Sequence, residues 1–369
     1  MDAVRHLYVH VPFCAHRCGY CDFVTVTGKE DLHAPYVEAL LVELDRWREV
    51  GGLADALETV YLGGGTPTLL EDDLLDRLLT VLPDAPERTI ECNPETVTPA
   101  LAALLARHAM RVSLGAQSFD AGLLATLERQ ATPAIVEAAV ARLRAAGIAN
   151  LSLDLIYGVP GEVDAVLASD LARLVALAPD HCSCYELEAK PGTRFTHRHG
   201  ADLEQQAERL EHHYDAVAST LEAAGYTWYE SATFARPGFA SAHNRAYWLG
   251  RDYLGIGVGA VSTLGLERRA NLPRLAAYID AVAVGGVAPC RIEALTPTVR
   301  LQERLMLGLR LAEGVELAVV EPVIDARALA TLTTHGLVAT EAGRIRLERR
   351  GRLLLNDVVV RLMRDDGPP

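Results

Sequence analysis

Three cysteines stand within eight residues of one another in Cys14-Ala-His-Arg-Cys18-Gly-Tyr-Cys21, out of seven in the chain. Thiols this closely spaced in one loop are open to oxidation unless a metal holds them, so the spacing reads as a metal site rather than a disulfide framework. Iron–sulfur clusters are normally held by cysteine thiolates, one per iron. Three ligands for a [4Fe–4S] cluster leave one iron to an external group. The amino and carboxylate groups of S-adenosylmethionine can chelate that iron and set the sulfonium beside the cluster for reductive C–S cleavage. Zinc is the competing reading, with His10 or His16 completing a Cys₃His set, and the spacing by itself leaves both open.

The elements that must position these thiols are βα units. Short apolar runs at residues 6–13, 57–62, 89–93, 111–117, 150–157 and 181–187 alternate with helical spacing over 36–50, 74–82, 99–108 and 134–146. This alternation predicts a parallel sheet, and six such units an incomplete barrel. Polar residues fall at the C-terminal ends of these runs: Gly63-Gly64-Gly65-Thr66, Glu91, Gln117-Ser118, Asp154 and Glu186. That is the face on which parallel barrels carry their chemistry, and five such ends imply one site.

Beyond a helical stretch over 203–224, a further region carries His243-Asn244-Arg245-Ala246-Tyr247-Trp248 and a glycine-rich run, 255–259. From Thr296 the pattern changes to helical spacing over 299–312 and 317–332, a strand pair around Ala342-Gly343, and a helix over 349–363. The expected fold class is α/β: a partial (β/α)6 barrel over 1–235, an extension over 236–290, and a small winged-helix-like α+β domain over 291–365. The tail from Asp365 is expected to be disordered. Arg344, Arg346, Arg349, Arg350 and Arg352 make the last region locally basic, with solvated side chains as the simplest expectation.

The net charge is −14, from 35 Lys and Arg against 49 Asp and Glu, the wrong sign for a protein that lives on nucleic-acid phosphates or anionic lipid. No run of eighteen apolar residues and no secretory leader are visible, so a reducing, cytosolic setting is expected. Cys92, Cys182 and Cys184 lie within apolar strands and are expected to pack rather than ligate.

The segments Tyr8-Val-His-Val-Pro-Phe-Cys14, the CxxxCxxC loop and Gly63-Gly-Gly-Thr-Pro-Thr68 resemble radical-SAM proteins of the oxygen-independent coproporphyrinogen oxidase type. The similarity covers nearly the whole chain and is strongest to the haem-chaperone branch, often called HemW. The oxidases continue the motif with a fourth cysteine two residues on, where this chain has Cys21-Asp22-Phe23, and they carry a longer leader. His243-Asn-Arg-Ala-Tyr-Trp248 matches the HNxxYW signature of the chaperones.

The resemblance implies a cluster on Cys14, Cys18 and Cys21 and a SAM site built from Tyr8, Tyr20, Gly64, Gly65, Thr66, Glu91, Gln117, Arg129 and Asp154. It also implies haem contact through His243, Tyr247 and Trp248, although the same motif could equally brace the barrel. One departure touches Arg129: the family reads Leu-Gly-Arg-x-His, whereas this chain reads Leu127-Glu128-Arg129-Gln130. The implied function is a haem chaperone with a haem-accepting partner, and with an electron donor such as a flavodoxin or ferredoxin if radical chemistry runs. The alternative is an enzyme that generates a 5′-deoxyadenosyl radical to act on a porphyrin or another organic substrate.

Replacing Cys14, Cys18 or Cys21 by Ala should abolish the brown colour and the cluster's iron, whereas Cys182→Ala and Cys184→Ala should keep both. Full iron retention in any of the first three, measured with acid-labile sulfide after anaerobic reconstitution, would overturn the assignment.

Overall fold

The computed structural model describes residues 3–188 and 194–364; the expected disordered tail, 365–369, lies outside them. The six apolar runs form six strands: β1 (His6–Val11), β2 (Thr59–Gly64), β3 (Glu87–Cys92), β4 (Arg111–Gln117), β5 (Leu151–Tyr157) and β6 (His181–Glu186). They pair in parallel and in chain order, from His6 opposite Thr59 to Tyr157 opposite Glu186. Parallel neighbours require crossovers, supplied by the helices His33–Glu49, Asp72–Val81, Pro99–Arg107, Pro133–Ala145 and Asp164–Ala176. Local chemistry sets where two of these helices begin. Thr98 and Thr132 accept hydrogen bonds from the backbone N–H groups of Leu101 and Ile135, and each is followed by a proline in the first helical turn, where a missing N–H costs nothing.

The sheet is wider than six strands. β7 (Thr227–Glu230) pairs antiparallel with β8 (Thr233–Ala235), which adds antiparallel to β6, and β9 (Leu254–Ile256) adds parallel to β1, giving nine strands. A second sheet of β10 (Val261–Leu264), β11 (Glu267–Asn271) and β12 (Cys290–Ala294) follows. The division expected at 290/291 therefore falls within β12, which pairs with β11 along its length. The extension packs into the barrel's own core through Leu254, Ile256, Leu264, Tyr278 and Val282.

A separate core of Leu305, Leu309, Val320, Leu332, Ile345 and Leu362 marks the C-terminal domain. Its helix Pro297–Gly308, strand β13 (Val315–Glu316), helix Ala326–Thr334 and hairpin β14 (Val338–Glu341) and β15 (Arg344–Leu347) give the sheet order β13-β15-β14 of a winged helix. Three helices expected as continuous are broken. The stretch 317–332 stops at Val320, passes through a 3₁₀ turn containing Pro322, and restarts where Asp325 caps Arg327 and Ala328. The stretch 349–363 divides at Leu354. The stretch 203–224 divides near Arg209, whose guanidinium reaches Glu162 O and Asp164. No helix among the described residues is long and apolar enough to cross a membrane.

The basic C-terminal region corrects a sequence expectation. Arg349 bonds Asp215, Ser219 and Glu222 on helix Leu210–Ala223, and the Arg352 guanidinium lies 3.5 Å over the Trp228 ring. These two side chains dock the domain on the barrel, Arg352 through a shielded contact and Arg349 through pairs that stay partly solvated. Arg352→Ala should cost about 1–2 kcal/mol in urea unfolding, because it removes a desolvated cation–π contact along with its packing. Arg349→Ala, whose pairs are more exposed, should cost about 1 kcal/mol or less; the reverse ranking would contradict this picture of the docking.

Candidate functional site

The cysteine loop leaves the end of β1 and is closed by backbone bonds from Cys14 N to Val26 O (2.9 Å) and from Val26 N to Pro12 O (2.9 Å). The loop after β2 lies against it, with Gly65 N bonded to Val11 O (2.8 Å) and Thr66 N to Phe13 O (2.7 Å). This contact explains the glycines. At Gly64, where φ is +115°, a Cβ would come 2.4 Å from the His10 ring, and at Gly65 it would come 2.6 Å from Phe13 O. The close approach they permit is to the protein's own first strand. His10 is fully engaged there: its Nε2–H donates to Val24 O (2.8 Å) and its Nδ1 accepts from the Tyr8 hydroxyl (3.0 Å), which removes it from the metal-ligand candidates.

Beneath the loop lies a cavity of about 560 Å³. Of the residues expected at the site, Cys14, Cys18, Cys21, Tyr20, Gly64, Gly65, Thr66, Glu91, Gln117, Arg129 and Asp154 all line it. Among the described residues Tyr8 does not; its ring stacks on Tyr61, with centroids 6.1 Å apart. The lining follows the strand period of two. Arg111, Ser113, Gly115 and Gln117 form one row on β4, and His181, Ser183 and Tyr185 another on β6. Gln117 closes its row at a register shift with φ +66°, a backbone region that non-glycine residues rarely enter.

A hydrogen-bond chain ties two thiols to separate strand ends. Thr66 Oγ1 donates to Cys14 Sγ (3.8 Å) and accepts from Asn93 Nδ2 (2.8 Å). Asn93 Oδ1 accepts from Arg129 Nη2 (2.6 Å), which also donates to Gly115 O (3.2 Å), while Arg129 Nη1 reaches Cys18 Sγ (3.9 Å). Burial pushes the Cys14 thiol above its ordinary pKa, and the Thr66 hydroxyl opposes that. A cation beside Cys18 and a hydroxyl donor at Cys14 suit sulfurs that would carry negative charge when they hold iron. Among the described residues no three His, Cys, Asp or Glu side chains close into a set that would hold a single metal ion. The Leu-Gly-Arg departure also has a structural meaning: Glu128 takes φ +55°, the region that favours glycine, and its carboxylate pairs with Arg194.

Glu91 Oε1 accepts from the Tyr61 hydroxyl (2.8 Å) and Oε2 from Gly64 N (3.0 Å). Burial pushes its pKa up to about 7, against those two donors and with help from the nearby Asp154 carboxylate. Asp154 is also raised by burial, although Ser113 and Ser152 donate to it. Two buried carboxyls, both raised by desolvation, in one cavity suit a cationic guest, whose charge would favour their ionised forms. Cys92, Cys182 and Cys184 are buried strand residues, and burial pushes the Cys92 thiol up to about 12.

The HNxxYW helix, Ala242–Trp248, does not present its aromatic face. Its N-terminal N–H groups at Ala242 and His243 donate to the Glu87 carboxylate at the start of β3 (2.7 and 2.9 Å). His243 is 1% exposed. Its Nδ1 bonds Thr59 Oγ1 (2.7 Å), its Nε2 bonds the Tyr247 hydroxyl (3.0 Å), and its ring stacks on Tyr61 at 5.0 Å. Burial, followed by the positive field of His6 and Arg111, lowers its pKa to about 3, so the imidazole is neutral. Of the two roles open to His243, Tyr247 and Trp248, the contacts of His243 and Tyr247 are those of a brace under β2 and β3, while the partly buried Trp248 ring has the Arg310 guanidinium 5.4 Å over it. The motif residue that lines the cavity is Asn244. Sequence reading also missed Asn93, Tyr61, Arg111, Ser113 and His181. The available signal was the period-two placement of Tyr61, Arg111, Ser113 and His181 within their strands, with Asn93 just past the end of β3.

Parallel strands delivering a three-cysteine loop to their C-terminal ends define a radical-SAM protein. Residues 8–174 match the Radical SAM superfamily and residues 295–354 the HemN C-terminal domain. The chain is 36% identical to the "Heme chaperone HemW" of Mycobacterium tuberculosis, over 97% of this chain and 94% of that one. It is 32% identical to the protein of that name from Lactococcus lactis, over 97% of each. The solved coproporphyrinogen III oxidase (HemN) of Escherichia coli superposes with a TM-score of 0.82 at 25% identity, covering 98% of this chain and 90% of that one. The chain belongs to the HemW family of radical-SAM proteins.

The folded chain holds the Glu91 proton more tightly than an unfolded chain does, so this group's contribution to stability is complete below pH 4.5 and is lost as pH rises through 7. Glu91→Gln should flatten the fall in stability of the metal-free protein over that window by on the order of 1–3 kcal/mol. Urea unfolding at pH 4.5, 6 and 7.5 checks it, and an unchanged slope would contradict the burial argument.

Proposed function

We propose that this protein is a haem chaperone, one that takes up haem and passes it to an acceptor protein on a scaffold that carries a [4Fe–4S] cluster and SAM. The observation that carries the reading is near full-length identity of 36% to a protein named as a haem chaperone. The Cys21-Asp22-Phe23 sequence, which lacks the oxidases' fourth cysteine, supports it. A cytosolic setting and a small electron donor, a flavodoxin or ferredoxin, where radical chemistry runs, belong to the same reading.

The residues fit the cofactors. Cys14, Cys18 and Cys21 would hold three irons at the cavity mouth, with Thr66 and Arg129 directed at two of the sulfurs. Glu91, raised to about 7 without a guest, would be drawn to its carboxylate form beside the sulfonium and would accept a hydrogen bond from the amino N–H of SAM while that nitrogen ligates the open iron. Asp154 is suited to accept from ribose hydroxyls, and Gln117 and Tyr20 to flank the adenosine. Tyr8 would act through Tyr61 and His10 rather than by contact. When bound, the cluster would supply the electron that cleaves the sulfonium C–S bond.

We do not place haem iron on His243, because both ring nitrogens are committed to hydroxyl partners inside the barrel. Anaerobic titration of the reconstituted protein with haem, followed in the Soret region, should give saturable binding at one site. His243→Ala should shift the affinity little and leave the Soret maximum unchanged. Absence of saturable binding to the wild type would overturn the chaperone reading, and a displaced Soret maximum in the variant would return His243 to the iron.

A further inference from the structure

The cavity extends well below the level of the cysteines. Arg111 is the first residue of β4 and Gln117 the last; six steps of about 3.3 Å put them roughly 20 Å apart along the strand. The upper end carries the thiols, Gly64 and Gln117. The lower end is lined by Arg111, His181 and Asn244, with Ser113 and Ser183 a step above.

Arg111 is 5% exposed. Its Nε is buried without a hydrogen-bond partner, and no carboxylate among the described residues forms an ion pair with it. A desolvated guanidinium normally has a paired anion. The comparably buried Arg88 has one, with Asp84 at 3.6 Å and the Leu79 carbonyl as a further acceptor. Of the acids lining the cavity, Glu91 holds Tyr61 and Gly64, while Asp154 holds Ser113 and Ser152 and feels the positive charge of Arg111 without closing to an ion pair. The neighbouring imidazoles offer no negative charge. His181 is tied to Ser152 and Tyr229 (2.8 and 2.7 Å), and burial together with Arg111 keeps it neutral.

We infer that Arg111 and Asn244 form a carboxylate subsite on the floor of the barrel, which receives a carboxylate of the organic ligand lying beneath the cofactor. Resting on the chaperone reading, that carboxylate is a haem propionate. A guanidinium presents paired donors to a planar carboxylate, and the Asn244 amide, which already bonds the buried Glu230 carboxyl, has a second N–H to offer. The subsite also accounts for one residue of HNxxYW: the motif's helix closes the floor, and Asn244 is the member that faces the cavity.

The test compares haem with haem dimethyl ester, in which both propionates are masked, on the cluster-reconstituted full chain with SAM present. Wild type should bind haem at least about tenfold more tightly than the ester, the scale expected for a desolvated, charge-assisted contact. Arg111→Met should lose that preference by weakening haem alone, Arg111→Lys should restore part of it, and Asn244→Ala should show a smaller loss. Iron content and thermal melts of each variant establish that it is folded and loaded; a Met variant that fails there leaves the Lys and Asn244 variants and the wild-type ester comparison to decide. Equal binding of acid and ester by wild type, or an unchanged preference in a folded Arg111→Met, would overturn the subsite while leaving the chaperone reading intact. No saturable haem binding by wild type would overturn both.

Discussion

The structure depends on how the cysteine loop is held against the ends of three strands. Cys14 and Cys18 are joined by the path Thr66–Asn93–Arg129, which takes one side chain after β2, one after β3 and one from the loop beyond β4. Each link is individually weak, yet the bonds share partners and are largely shielded, the setting in which polar networks fix one geometry. Parallel pairing in strict chain order is what brings these ends together, so the β1–β6 order is a precondition of the site.

The same constraint shapes what lies below. β1 and β2 approach the cysteine loop so closely that Gly64 and Gly65 have no room for a side chain. β9 then extends β1 on its free edge, and Gly257 N donates to the buried Glu43 carboxylate (2.8 Å), locking the extension to the first crossover helix. From beneath, His243 stacks on Tyr61, which in turn holds Glu91. The floor helix and the upper carboxylate are thereby joined through a single tyrosine, a mechanical reason for the HNxxYW segment to accompany a cofactor site it does not touch through its histidine.

Much of this was legible in the residues. The six parallel strands follow from short apolar runs with polar C-terminal ends, and the cysteine count, once the resemblance sets zinc aside, implies an open iron. What escaped sequence reading was non-local. The residues around His243 leave a haem ligand and a brace equally open until its partners Thr59 and Glu87, 184 and 156 positions away, are seen. Strands β7, β8 and β9 have only three or four residues each, too few for periodicity to register. Arg349 and Arg352 read as solvated because nothing near them in sequence announces Asp215 or Trp228. Arg111 and Ser113 were within reach, since polar residues at alternate positions of an otherwise apolar strand mark a lined interior.

The most direct test of the central claim, a cluster held by three thiolates with an iron left open for SAM, is electron paramagnetic resonance of the reduced, reconstituted protein with and without SAM, using methionine labelled with ¹⁵N at the amino group. The expected result is a SAM-dependent change in the cluster's g values together with hyperfine coupling to the labelled nitrogen. A spectrum unaffected by saturating SAM, or a full set of four protein ligands on the cluster, would contradict it.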